Sequence, residues 1–107
     1  MFILSANPKF THDVKVMTPV DGGHKQEEFK ATFAVIDVDD MGDVSSLEGQ
    51  KAFLRRVVVG LEGIVDEAKK EVPYSDEFRD RLIGIAYIRA ALIQTYMAAV
   101  TKSAVGN

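Results

Sequence analysis

Apolar and polar residues alternate through the first third of the chain. Phe10, His12, Val14 and Val16 interleave with Thr11, Asp13, Lys15 and Met17, the period-2 pattern of a strand with one buried face. Thr18-Pro19 predicts its end, because proline cannot donate to a sheet ladder. Asp21-Gly22-Gly23-His24 predicts a turn, where glycine accepts positive φ cheaply. Phe29, Ala31, Phe33 and Val35 then alternate with Lys30, Thr32 and Ala34, giving a second strand that faces the same core. Together these runs predict an antiparallel hairpin over about residues 9–18 and 27–37. Phe2-Ile3-Leu4 would add a third strand.

Beyond residue 44 the period changes. Ser45 followed by Glu48 fits a capping box, and Leu47, Leu54, Val57, Val58 and Leu61 recur at helical spacing. Lys51, Arg55 and Glu62 fall on the opposite flank, and Gly60 and Gly63 predict the end of that helix. A polar connection, residues 66–71, leads to Val72-Pro73-Tyr74. Ser75 is a good N-cap, with Asp76 and Glu77 at the positive end of the helix dipole. A short helix with Phe78 and Leu82 inward would stop near Gly84, and a long apolar helix would cover about residues 85–103. The expected fold class is α+β: an N-terminal hairpin packed against C-terminal helices. It forms one domain, with residues 1–44 mainly a β layer and 45–107 a helical layer.

Composition narrows the function classes. The chain has 107 residues, 47% hydrophobic and 27% charged, with no cysteine. Disulfides, cysteine-ligated zinc and thiol chemistry are therefore excluded. Net charge is −3, with four lysines against nine acids in residues 1–50 and nine bases against seven acids thereafter. That balance gives no broad footprint for nucleic acid. Arg55-Arg56 and Lys69-Lys70 read as solvated pairs. No apolar run approaches the roughly 18 residues of a membrane span, and the start lacks the basic flank of a signal peptide. The expectation is a soluble intracellular protein that binds neither nucleic acid nor membrane.

Catalytic patterns are sparse. Residues 37–48 resemble a calcium loop, with Asp37 and Asp39 at ligand positions one and three, Gly42 at the turn and Glu48 at position twelve. Met41 stands where position five needs an oxygen, and a strand rather than a helix precedes the loop. An acidic turn leading into a helix is the favoured reading. His12 and His24 have no carboxylate in register to orient them. Ser5, Ser45, Ser46, Ser75 and Ser103 lack a nucleophile-elbow context, and Gly22-Gly23 opens no phosphate loop. The residues point to no enzyme, metal or cofactor.

The last helix carries the informative pattern. Ile85, Ile88, Leu92, Tyr96 and Ala99 form one stripe at about 100° per residue, the expected core face. Ile93, Met97 and Val100, with Ala86 and Ala90 beside them, widen the apolar arc to about 180°, beyond the ~100° that one-sided packing needs. Either neighbouring elements wrap both sides of the helix, or Ala86, Ala90, Ile93, Met97 and Val100 meet another protein chain. Ile93 and Met97, about 80° and 120° round from Ile85, would begin that second contact.

In the order of its elements the chain resembles the tail assembly chaperones of long-tailed bacteriophages. Phe29-Lys30-Ala31-Thr32-Phe33, Val58-Val59-Gly60-Leu61-Glu62-Gly63-Ile64-Val65-Asp66-Glu67, Val72-Pro73-Tyr74-Ser75-Asp76-Glu77 and the alanine-rich last helix carry the likeness, from about residue 10 onward. Leu61 stands where that family often has tryptophan, and Ile85-Ala86-Tyr87 where a proline commonly precedes the final helix. The resemblance implies a non-enzymatic protein of the bacterial host cytoplasm. It would coat the tape measure protein, help recruit tail tube protein, and in many members also occur in a longer, frameshifted form. A structural tail or head–tail connector subunit, which would form a stable ring, and a calcium-binding module are the alternatives. A homo-oligomer is compatible with each.

Overall fold

A computed structural model describes residues 1–102. Strands β1 (Lys9–Val20) and β2 (Gly23–Ala34) form the expected antiparallel hairpin. Its register runs from Lys9↔Ala34 to Val20↔Gly23. β1 continues past Pro19 because it is an edge strand of the sheet order β1-β2-β3, where a missing N–H leaves no ladder bond unmade. Asp21-Gly22 closes the turn, with Gly22 at φ 78°, a conformation that costs glycine little.

The third strand comes from elsewhere than expected. Phe2, Ile3 and Leu4 are 83–85% exposed and belong to no strand. Instead β3 (Val58–Glu62) follows α1 (Leu47–Val57) without a break and pairs antiparallel with β2. The predicted helix through Leu61 is thus cut short at Val57. Val58 and Leu61 are buried as expected, but from a strand: a spacing of three fits a helical stripe, and here a register shift between Thr32 and Phe33 lets it fit a sheet. Gly60 sits against Thr32, whose Cβ a side chain at that position would meet at 3.3 Å.

Helix α1 starts one residue later than the capping-box reading. Ser46, not Ser45, accepts from the Gly49 N–H, while Ser45 donates through its N–H and hydroxyl to Asp43. Leu47, in the first turn, is 52% exposed. Helix α2 (Asp76–Ile83) matches its prediction, with Ser75 accepting from the Phe78 N–H and Gly84 as C-cap. Helix α3 (Ala86–Thr101) follows, at 102° to α2.

One apolar cluster joins these layers. Val14, Val16, Phe29, Ala31 and Phe33 from the sheet meet Phe53, Leu54 and Val57 of α1, Leu82 and Ile83 of α2, and Leu92 and Tyr96 of α3. Val35, read as inward, lies beyond the end of β2 and is 36% exposed. Phe53 is 1% exposed and meets Tyr96 edge-on at 5.0 Å. Stacking of Phe10 on Phe33 at 5.2 Å continues the aromatic run to the sheet edge. The distal hairpin, from Met17 to Glu28, is largely exposed, and the molecule measures 47 Å along its longest axis.

Candidate partner-binding surface

Helix α3 is apolar around nearly its whole circumference. Its sixteen residues include one charge, Arg89, and that side chain is turned to the domain. The Arg89 guanidinium donates to the Ile83 carbonyl at 3.1 Å and to Gln50 Oε1 at 3.2 Å, tying α3 to α2 and α1. Ala91, Leu92 and Tyr96 are buried in the core. On the reverse face Ala86 and Ala90 are exposed, Val100 is 41% exposed, and Gln94 is the polar residue between them. Ile93 and Met97 are half-buried, each with one edge packed on the core and the other outward. The structure therefore brings Ala86, Ala90, Ile93, Met97 and Val100 together as one uncharged strip. Ile85, expected in the core stripe, is 38% exposed and precedes the helix as its N-cap.

An uncharged helix face in water is unusual. Solvent-facing helix positions ordinarily carry charged or polar residues, so a helix apolar all round is expected to be covered on all sides. Small alanines at Ala86 and Ala90 allow another backbone to approach closely, and Met97 adapts to an irregular partner. No family model, curated protein or solved structure matches the chain. The geometry of this strip therefore carries the functional reading together with the sequence.

The other candidate residues have local duties. Asp40 accepts from Arg56 through its carbonyl at 2.7 Å and lies 3.9 Å from it through its carboxylate. Glu48 lies 3.9 Å from Lys51, and Met41 packs on the core. Among the described residues no three His, Cys, Asp or Glu side chains are gathered to hold a metal ion. His12 is exposed beside Phe10 with ring centroids 6.2 Å apart, and His24 lies in β2 opposite Pro19. Lys69 takes φ 64° in the loop closed by Asp66. Ser103 lies outside the described residues.

Sequence reasoning missed one polar cluster. Arg79, on α2, donates to Asp80 at 3.0 Å and to the Arg55 carbonyl at the end of α1 at 3.1 Å, with the Tyr74 hydroxyl at 3.4 Å. Burial opposes the Arg79 charge, but the Asp80 hydrogen bond and the neighbouring Tyr74 and Asp76 outweigh it, so its pKa is raised. Burial also raises the Tyr74 pKa, helped by the hydrogen bond that its hydroxyl donates to Asp76. This cluster fastens α2 to the carbonyl end of α1. Its parts are 24 positions apart, so no local pattern announces it.

Proposed function

We infer that this protein is a non-enzymatic assembly chaperone of long-tailed phages. It covers an apolar helical segment of the tape measure protein and helps recruit tail tube protein before the tube forms, acting in the cytoplasm of the bacterial host. The observation that carries this reading is the uncharged outward strip of α3, with its single arginine committed to the domain. A partner with a long, exposed apolar helix is what such a strip suits. The resemblance in residues 29–33, 58–67 and 72–77 supplies the identity of that partner. Laying the apolar face of an amphipathic helix against an apolar surface is a recurring mode of recognition.

The test is co-purification with a tape measure segment. Ala90→Glu introduces a charge at an exposed position and should spare the melting temperature while abolishing capture. Met97→Lys and Ile93→Glu should abolish capture too but weaken folding as well, because part of each side chain packs on the core. Stable variants that still capture the segment would overturn the reading. Mass spectrometry of finished particles separates the chaperone from a connector subunit: a chaperone is absent from them, whereas a ring component is retained.

A further inference from the structure

A second apolar surface lies away from the α3 strip. Between the sheet and the α2–α3 corner runs an open groove of about 220 Å³. Val16, Phe29, Ile64, Val65, Leu82 and Tyr87 form its apolar lining, and Thr18, Glu27 and Glu28 of the hairpin also border it. Val65 and Tyr87 are 56% and 36% exposed. An apolar cavity of ~150 Å³ already accepts a benzene ring, so this groove has room for large apolar side chains. At the other end of β1 the chain presents the matching material. Phe2, Ile3 and Leu4 are exposed at 83%, 83% and 85%, in a segment that leaves the domain at Pro8, where the Pro8 carbonyl accepts from the Val35 N–H at 3.0 Å. Scattered apolar residues on a surface are ordinary, but three large consecutive ones on one side of such an anchor make an unpartnered patch.

We propose that the Phe2-Ile3-Leu4 arm of one copy docks in the Val16–Phe29–Tyr87 groove of a second copy. The length of the arm decides against its own groove. Val16 lies eight positions along β1 from Pro8, about 26 Å at ~3.3 Å per residue. Phe29, the strand residue of the lining closest to Pro8 along the hairpin, is level with Val14, about 20 Å away on the same count. Fully extended, the arm places Leu4 at most about 14 Å and Ile3 about 18 Å from Pro8. Phe2 reaches at most about 22 Å, so even an arm doubled back at Pro8 meets only the near wall, stops short of Val16 and cannot fill its own groove. A neighbouring copy removes that restriction. A reciprocal exchange also buries two arms and two grooves, which brings the contact toward the ~1,200 Å² of a stable interface.

Light scattering coupled to size exclusion tests this with two variants. Ile3→Asp/Leu4→Asp disables the arm and leaves the groove. Val65→Glu charges the groove at a half-exposed position and leaves the arm. Wild type should associate with rising concentration, and each variant should run as a monomer with an unchanged circular-dichroism spectrum. An equimolar mixture of the two variants should associate more weakly than wild type but measurably at high concentration, since one intact arm then meets one intact groove, half of the reciprocal contact. A monomeric wild type, association that survives in the arm variant, or variants that fail to associate on mixing would overturn the proposal. So would a groove filled by a tape measure segment while the arm stays free. None of these readouts involves Ala90 or Met97, so this proposal and the chaperone reading can fail separately.

Discussion

The Tyr96 hydroxyl accepts a hydrogen bond from the Ile36 backbone N–H at 3.3 Å, across 60 positions of sequence. Tyr96 is 1% exposed, so α3 holds the chain just after β2 from inside the core. Tyr96→Phe keeps the ring against Phe33 and Phe53 but leaves that N–H without its acceptor. The expected cost is about 1–2 kcal/mol, seen as a fall of roughly 5 °C or more in melting temperature.

The inward side of β2 is tested by charge. Phe33 is fully buried, and Phe33→Asp places an unpaired carboxylate among aromatic rings, so the domain should not fold. Phe53→Ala should cost about 3–5 kcal/mol by leaving a cavity beside Tyr96. Circular dichroism of the first and urea melts of the second check the two sides of the core that meet at Tyr96.

Ser46 and Ser45 differ in duty despite being neighbours. Ser46→Ala removes the N-cap of α1 and should cost about 1 kcal/mol, with Ser45→Ala costing less. Gly49→Ala is the sharper test. Alanine is the better helix former by about 1 kcal/mol, yet a Cβ at Gly49 would overlap the Asp43 carbonyl. Loss of stability on that substitution, measured by thermal melting, is the expected sign.

Asp43 should titrate below the ordinary carboxylate range, because the Ser45 hydroxyl and then the Ser45 N–H hydrogen-bond its charged form. A lowered folded-state pKa means that this contribution is present above the unfolded carboxylate pKa. It is lost as pH falls through the folded value. Carbon-detected NMR titration should show the Asp43 pKa rising in Ser45→Ala, and an unmoved value would contradict the assignment.

Calcium should bind without specificity. Met41 occupies the fifth position of the loop-like stretch and packs on the core, and Asp40 is taken up with Arg56. Calorimetry at micromolar calcium should show no saturable heat, and a saturable signal abolished by Asp37→Ala would overturn this.

Local pattern was enough for the hairpin, for the Ser75 and Gly84 boundaries of α2, and for the existence of α3. In each case a period or a cap acts within a few residues, and sequence records such distances directly. Val58 to Glu62 escaped because Val57, Val58 and Leu61 satisfy a helical stripe as well as a strand, and only the free edge of β2 decides between them. Phe2-Ile3-Leu4 failed in the opposite way: its composition suits a strand, but β3 already occupies that edge of β2, and the arm pairs with neither edge of the sheet. Sequence showed that the apolar arc of α3 was too wide for one-sided packing and named Ala86, Ala90, Ile93, Met97 and Val100. The stripe through Leu92 and Tyr96 reads as its core side and is buried, whereas Ile85, on the same stripe, is 38% exposed. In an almost uniformly apolar helix the pattern has too little contrast to set where the core side ends. Tertiary structure sets that limit. Tyr96 reaches Ile36 and Arg89 reaches Gln50, and these two long-range bonds orient α3 so that Ala86 and Ala90 face outward.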